Sequence, residues 1–272
     1  MSASDPADRR LALITGASAG IGQALARVYA EHGWDVVLTA RRTDRLEALA
    51  DELKLRAGVE TIVIPEDLAD PAAPERLIEA LADRGRTVDA LINNAGFSRT
   101  DGFEAVPWEQ HRAMLQVMLL APVELAHRVL PGMVERRFGR ILNVASLAGY
   151  SPATGGDTLY GPIKSFLIKA SAGLHLETRE KDVHVTALCP GYTWSEFHDV
   201  NGQRQQVAHS TPEWVWMGAD EVARAGYEAS EANRPICVPG APNKVASALL
   251  KVLPDEWSLA LAARHGERLG RL

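Results

Sequence analysis

The chain has 272 residues, of which 46% are hydrophobic and 24% charged, and this size and balance suit one large globular domain over residues 1–272. The formal net charge of −6 argues against a nucleic-acid partner. The polar N-terminus lacks the apolar region of a signal peptide, and no apolar run is long enough to cross a bilayer. We therefore expect a cytoplasmic protein without an integral membrane segment.

Short apolar runs alternate with stretches of helical periodicity along the chain. The apolar runs predict strands at 11–15, 35–40, 61–65, 88–93, 140–145, 183–189 and 236–238. The periodic stretches predict helices at 21–31, 46–55, 74–83, 107–137, 165–180 and 219–231. Strands that are apolar throughout are buried on both faces, and helices between them imply right-handed crossovers. The pattern predicts a Rossmann-type doubly wound α/β fold, with seven parallel strands in the order 3-2-1-4-5-6-7 and ligands at their carboxyl ends.

A glycine-rich loop, TGASAGIG at 15–22, directly follows the first predicted strand. Glycines let the backbone turn tightly and approach a pyrophosphate, and the N-terminus of the next helix supplies free N–H groups. The absence of a following GK[ST] disfavours a P-loop. The loop therefore predicts a dinucleotide site, with contacts from Gly16, Ser18, Gly20, Ile21 and Gly22.

The end of the second strand bears on the choice between NAD and NADP. An acidic residue there would accept hydrogen bonds from the ribose of NAD, but this chain has Arg41 and Arg42. A guanidinium pairs well with a 2′-phosphate, so we predict NADP(H), although Asp44 keeps NAD(H) possible and both arginines could simply be solvated. After the third strand, Asp67 could bind the adenine amino group or cap the next helix, and Leu68 beside it is a further candidate contact.

The fourth strand ends in NNAG at 93–96. Small residues here would let a cofactor lie flat across the end of the sheet, and asparagine side chains can satisfy loop backbone groups. Asn93, Ala95 and Gly96 are therefore candidate cofactor contacts, although this motif alone is more often structural.

Tyr160 and Lys164, in YGPIK, are four residues apart near the start of the helix after strand five and so share one helix face. Pro162 is tolerated in a first helical turn. Ser146 ends strand five at the same edge of the sheet. The three side chains suit carbonyl reduction: the phenol transfers a proton, the serine polarises the substrate oxygen, and the lysine favours the phenolate. We expect the ammonium and an oxidised nicotinamide to lower the pKa of Tyr160 below its ordinary value of about 10.

These motifs together resemble the short-chain dehydrogenase/reductase (SDR) family over residues 10–240. The stretch ARRTDRLEAL and the ending ALCPG most resemble the DltE-like, NADP-dependent branch. The resemblance implies Ser146, Tyr160 and Lys164 as catalytic residues. It also implies nicotinamide contacts from Pro190, Gly191 and Thr193. Homodimers or homotetramers, packed through the helices near 107–137 and 158–180, are usual in this family.

Two departures from the family pattern bear on activity. Met118 stands where the family usually has an asparagine that anchors a water in a proton relay, and a thioether is at best a weak acceptor. The separation of Ser146 and Tyr160 is fourteen rather than thirteen, and Gly155 and Gly156 could let the extra residue loop out. We expect a working enzyme with a substitute proton route, or alternatively a non-catalytic NADP-binding sensor or scaffold.

The segment after strand six, residues 192–217, is expected to be a lid over the substrate. Its aromatic residues favour an apolar ketone, aldehyde or secondary alcohol, although they could equally pack the lid onto the core; they are Trp194, Phe197, Trp214 and Trp216. Thr154, Asp157 and Thr158 could also face the substrate. Because His198 and His209 lack convincing partners, we predict no metal site.

Two further features concern the compartment and the C-terminal part of the chain. Cys189 and Cys237 are expected to be buried thiols in a reducing compartment. The segment 245–253 is expected to form an amphipathic closing helix, with membrane or partner contact as the alternative.

Overall fold

The structure, a computed structural model, describes residues 9–99, 101–153, 157–196 and 212–268. Within these ranges the strands are β1 (Leu11–Thr15), β2 (Asp35–Thr39), β3 (Thr61–Val63), β4 (Ala90–Asn93), β5 (Gly139–Val144), β6 (Val183–Leu188), β7 (Thr193–Trp194), β8 (Met217–Gly218) and β9 (Ile236–Cys237). Seven of them form a parallel sheet in the order β3-β2-β1-β4-β5-β6-β9, while β7 pairs with β8. The predicted strand order is confirmed, with β9 as the seventh strand.

Helices cover both faces of the sheet. They are α1 (Gly20–Glu31), α2 (Thr43–Ala57), α3 (Ala73–Ala82), α4 (Trp108–Leu115), α5 (Ala121–Glu135), α6 (Tyr160–Thr178), α7 (Ala219–Glu231), α8 (Ala241–Val252) and α9 (Asp255–Arg268). One apolar cluster joins α1, α2 and α7 to the sheet, and a second joins α3, α4, α5 and α6 to the opposite face. Every residue of β1, β2, β4 and β5 is buried, as expected for strands covered on both sides. The doubly wound fold is thus confirmed.

The topological switch lies between β1 and β4, where the chain changes the direction in which it adds strands. Loops after these two strands diverge there and leave a crevice at their carboxyl ends. The residues that follow Thr15 and Asn93 therefore border one site, as the sequence predicted.

The predicted long helical region over 107–137 is present but contains a π turn. A π turn, Gln116–Leu120, separates α4 from α5, and such turns are frequent at functional sites. By length and mean hydropathy (1.4) the stretch Trp108–Glu135 could cross a bilayer, which the sequence analysis did not expect. Its buried apolar side chains, including Met114, Met118 and Leu125, pack into the second core cluster, as in a core helix.

The two cysteines and helix α8 lie in the last third of the chain, and only the cysteines match their prediction. Cys189 and Cys237 are buried free thiols, as predicted. Helix α8, however, is not an amphipathic helix that closes the fold with its apolar side. It buries polar residues such as Asn243, while Val245 and Leu249 are 61% and 53% exposed. Its contact with a membrane or partner stays a prediction.

Candidate active site

The glycine-rich loop forms a cradle that larger residues would fill. Helix α1 begins at Gly20, and its N-cap residue, Ala19, makes no side-chain capping bond. Gly16 and Gly20 have φ angles of +67° and +57°, which favour glycine. A Cβ atom added at Gly22 would lie 2.3 Å from the Gly16 carbonyl oxygen. The loop thus directs an uncapped helix N-terminus into the crevice, where it can bind an anion.

Thr15 and Asn94, which the sequence analysis did not select, hold this cradle to the end of β4. The Asn94 side-chain amide donates to the carbonyl oxygens of Thr15 at 3.0 Å and Gly16 at 3.2 Å. The Thr15 hydroxyl oxygen accepts from the backbone N–H groups of Asn94 and Ala95 at 2.9 and 3.1 Å. The NNAG motif was recognisable in the sequence. Which of its two asparagine side chains hydrogen-bonds the glycine loop depends on the pairing of the strands.

Arg42 lies against the glycine loop. Its Nη2 and Nε atoms donate to the Ser18 hydroxyl at 3.0 and 3.3 Å, and Ser18 is itself buried. Arg41 is exposed. Of the two predicted arginines, Arg42 is therefore the one placed at the loop, where the adenosine end of a dinucleotide would lie.

Asp67 closes the turn after β3. Its Oδ1 atom accepts from the Ala69 N–H at 3.0 Å, and its side chain is otherwise exposed. Leu68 beside it is buried in the second core cluster. Asp67 thus stabilises its own loop, while its predicted contact with adenine stays a prediction.

Asn93 begins a buried polar chain beneath the site. Its Nδ2 atom donates to Asn143 Oδ1 at 2.8 Å and to the Pro122 carbonyl at 3.2 Å. Asn143 in turn donates to the Ser171 hydroxyl at 2.9 Å. This chain ties β4, β5, α5 and α6 together, and buried networks of this kind stabilise a single arrangement of the elements that they join.

Ser146, Tyr160 and Lys164 converge at the end of β5, as predicted. Helix α6 begins at Tyr160, and the Ser146 side chain hydrogen-bonds the Tyr160 hydroxyl. The ammonium of Lys164 is 5.5 Å from the Tyr160 ring centroid and donates to the Val144 carbonyl at 2.7 Å. Lys164 is only 4% exposed, so its ammonium lies where solvent screens charge little.

The expected lowering of the Tyr160 pKa is wrong for the protein alone. Burial raises the pKa of Tyr160 above its ordinary value, the hydrogen bond with Ser146 opposes this, and the charge of Asp157 adds to it. Burial also lowers the pKa of Lys164 to about 8, against the opposing charges of Cys189 and Asp157. Motif spacing reveals the lysine charge beside the phenol but not the loss of solvent around both groups.

Met118 lies directly under the site, within the π turn. It is 1% exposed, and its sulfur accepts from the Phe97 N–H at 3.5 Å. A Cβ added at Gly96 would lie 3.3 Å from the Met118 methyl carbon. The π turn packs against α6, which carries Lys164. Met118 therefore places a thioether against the NNAG loop, in a turn that packs on the lysine helix.

Asp157 is the buried carboxylate closest in sequence to the pair of Tyr160 and Lys164. It is 5% exposed, and its carbonyl accepts from the Tyr160 N–H at 3.2 Å at the start of α6. From the sequence alone, Asp157 was expected only to be a loop residue that could face substrate. Thr154, Gly155 and Gly156 lie outside the described residues.

The turn after β6 is held between the turn that follows β5 and helix α8. The Pro190 carbonyl accepts from the Leu147 N–H at 2.9 Å, next to Ser146. A Cβ added at Gly191 would lie 2.4 Å from Asn243 Oδ1, so only glycine fits beside α8. Buried Thr193 donates to the Gly191 carbonyl at 3.1 Å. The three predicted nicotinamide contacts thus form one rigid turn beside the serine.

Aromatic side chains cluster where the predicted lid begins and ends. Trp194 and Trp216 stack with centroids 4.1 Å apart, and Tyr192 is 5.2 Å from Trp216. Trp216 is buried, whereas Trp214 is 71% exposed. The stack supports the packing interpretation for two of the four predicted aromatics. Phe197, His198 and His209 lie outside the described residues.

Comparison with known proteins places the chain in a family. It matches the short chain dehydrogenase family over residues 10–206. A serine 3-dehydrogenase of Agrobacterium fabrum is 36% identical over 218 residues, which cover 79% of this chain and 85% of that protein. The chain therefore belongs to the short chain dehydrogenase family and is an oxidoreductase, as its motifs indicated.

Solved structures are similar over nearly the whole chain. A short-chain dehydrogenase from Sphingobium yanoikuyae in complex with NADPH has a TM-score of 0.77 and 31% identity, covering 95% of this chain and 94% of that one. The bulky-bulky ketone specific alcohol dehydrogenase from Comamonas testosteroni has a TM-score of 0.74 and 27% identity, covering 95% and 93%.

Proposed function

We propose that the protein is an NADP(H)-dependent oxidoreductase that interconverts a ketone or aldehyde and an alcohol. The observation that carries this proposal is the convergence of Ser146, Tyr160 and Lys164 at the end of β5, beside a glycine cradle at the switch point. A hydroxyl, a phenol and an ammonium at that position supply proton transfer and stabilise charge on a substrate oxygen.

The cofactor cradle fits a dinucleotide. The uncapped N-terminus of α1 suits a pyrophosphate, and Arg42 on Ser18 provides a cation for a 2′-phosphate. The NADPH bound by the Sphingobium yanoikuyae enzyme supports NADP(H) rather than NAD(H) for this chain. When bound, the nicotinamide supplies or accepts the hydride, and Pro190, Gly191 and Thr193 line its side of the crevice.

Tyr160 is the proposed general acid and base. In reduction its Oη proton passes to the substrate oxygen, and in oxidation Oη takes that proton back. Ser146, already hydrogen-bonded to the phenol, donates to the same substrate oxygen. Lys164, held by the Val144 carbonyl, lies 5.5 Å from the Tyr160 ring centroid, and its ammonium would stabilise the phenolate that forms during turnover.

With Met118 in place of an asparagine, the route by which Tyr160 regains its proton after each turnover must be explained. Its sulfur is used by the Phe97 N–H, and a thioether organises water poorly. We propose that the protein turns over by another polar route, for which buried Asp157 at the start of α6 is a candidate. A non-catalytic NADP-binding sensor or scaffold is the alternative, and no comparison favours it.

An apolar or bulky carbonyl compound is the proposed substrate class. The likeness to an alcohol dehydrogenase specific for bulky-bulky ketones supports it. The serine 3-dehydrogenase relative makes a small polar hydroxy acid the competing class. We propose that residues 192–217 cover whichever substrate binds.

The proposed enzyme forms a homodimer or homotetramer through α5 and α6. These helices, with the π turn before α5, expose large apolar side chains that a second copy would cover: Leu120, Val123, Phe166 and Leu176. The cytoplasm is the proposed compartment, in agreement with the two free thiols.

The experiment that tests the proposal follows NADPH oxidation with a panel of bulky ketones, small aldehydes and hydroxy acids in the wild type and in Met118→Asn. We expect the wild type to turn over, and asparagine to raise kcat less than about tenfold, well below the roughly 10²- to 10⁴-fold that one positioned proton-transfer group contributes. If only Met118→Asn turns over, the native relay is cut and the binding-protein alternative is correct. Leu119→Asn, one residue further along the same turn, is the matched control for inserting an amide.

A further inference from the structure

Glu196 bridges two arginines of the second βα unit, although it is 154 residues away from Arg42 in the sequence. One carboxylate oxygen accepts from Arg42 Nη1 at 2.9 Å, and the other accepts from Arg45 Nη1 at 2.5 Å. These two contacts hold the pKa of Glu196 below its ordinary value, that from Arg45 being the larger. Glu196 is therefore an anion at neutral pH, fixed at the first turn of α2.

The N–H groups of the Arg42 guanidinium are shared between two partners, the Glu196 carboxylate and the glycine loop. Its Nε and Nη2 atoms donate to the Ser18 hydroxyl, while Nη1 faces Glu196. A phosphate bound here would need the same N–H groups, because a guanidinium presents its donors in one rigid plane. A carboxylate and a 2′-phosphate cannot both take Nη1, and their like charges repel at such a distance.

The neighbouring residue places Glu196 beside the cofactor path. Ser195 Cβ lies 2.9 Å from the position of a Cβ added at Gly20, so this segment rests on the glycine loop. A cavity of about 670 Å³ adjoins the bridge, and Gly20, Arg45, Ser195 and Glu196 are among its lining residues. Because Ser18 and Glu196, the two partners of Arg42, line this cavity while Arg42 does not, the bridge stands at its edge.

We propose that Glu196 is a specificity-determining residue that occupies the 2′-phosphate position at Arg42 and is displaced by that phosphate alone. Binding of NADP(H) exchanges one anion for another at Arg42, while Arg45 keeps the carboxylate. NAD(H) has only neutral hydroxyls at this position and leaves the bridge closed. This inference rests on the proposed NADP(H) dependence. It adds that Glu196, at the start of the lid segment, weakens NADP(H) binding by competing for Arg42.

The test measures binding, independently of turnover. Kd values for NADP⁺, NAD⁺, 2′,5′-ADP and 5′-AMP are determined by calorimetry at low salt for the wild type and Glu196→Gln. Removing the competing anion should tighten NADP⁺ and 2′,5′-ADP about three- to fivefold, the upper part of the range for the one half-exposed ion pair, Arg42–Glu196, that the phosphate breaks. NAD⁺ and 5′-AMP should change less than about twofold, since neither displaces the carboxylate. In an Arg42→Ala background the gain should vanish.

A matched control is Glu31→Gln, which removes an ion pair of similar exposure with Arg224, 3.0 Å apart, on α1 and α7. It should change none of the four Kd values. Weaker binding of NAD⁺ and 5′-AMP in Glu196→Gln would overturn the proposal, because Glu196 would then accept from the ribose hydroxyls. Equal changes for all four ligands, or a gain that survives Arg42→Ala, would also overturn it.

The wild type separates this inference from the proposed function. If the wild type binds NADP⁺ no more tightly than NAD⁺, the cofactor assignment and the inference both fail. If the wild type prefers NADP⁺ and Glu196→Gln leaves that preference unchanged, the inference alone fails.

Discussion

Replacing Gly22 by alanine should displace the cofactor loop from the end of β4. The new Cβ would lie 2.3 Å from the Gly16 carbonyl oxygen and 2.4 Å from Asn94 Nδ2, about 1 Å inside ordinary contact. Neither atom can yield cheaply, because Asn94 also donates to the Thr15 and Gly16 carbonyls. Overpacking of this kind costs about 1–3 kcal/mol, and loss of one of these hydrogen bonds adds about 1 kcal/mol.

Two assays should report the change. At about 2–4 °C per kcal/mol for a domain of this size, Tm should fall by roughly 5–10 °C, and NADPH should bind at least tenfold more weakly because its cradle is distorted. Gly173→Ala is the matched control: Gly173 lies in α6 with nothing near its added Cβ, so alanine should stabilise the helix by up to about 1 kcal/mol. Wild-type Tm and Kd in Gly22→Ala would refute the reasoning.

Two further predictions concern charge. Arg42→Ala should weaken NADPH binding at least tenfold and NADH binding less than threefold. Arg41→Ala should weaken NADPH binding less than Arg42→Ala does. Equal losses of affinity for NADPH and NADH in Arg42→Ala would contradict the 2′-phosphate assignment. Because burial lowers the pKa of Lys164 to about 8, kcat/KM for ketone reduction should fall above about pH 8 as the ammonium is lost, while Tyr160 stays protonated. A profile that is flat to about pH 10, with an unchanged Kd for NADPH, would show that this charge is not needed.

The sheet order and the convergence of Ser146, Tyr160 and Lys164 could be predicted from the sequence for one physical reason. Strands that are apolar throughout must be buried in a parallel sheet, and the carboxyl ends of such strands meet at one edge. Motif residues that follow those strands are therefore brought together regardless of their separation in the chain. The resemblance to a known family then added the role of each residue.

What could not be predicted depends on packing between distant segments. The clamp of Asn94 on the glycine loop follows from the pairing of β1 with β4. The π turn around Met118 leaves no signal in the apolar periodicity, which reads as one long helix. The bridge from Glu196 to Arg42 joins segments 154 residues apart. The raised pKa of Tyr160 required knowing how deeply the phenol is buried.

The most direct test of the proposed chemistry compares NADPH oxidation by the wild type and Tyr160→Phe with the best ketone of the panel, alongside the Kd for NADPH of each. Phenylalanine keeps the ring and removes only the hydroxyl that hydrogen-bonds Ser146. We expect kcat to fall at least a hundredfold, as for the loss of a general acid, with Kd within about twofold. Turnover that survives in Tyr160→Phe would contradict the assignment of Tyr160 as the proton donor.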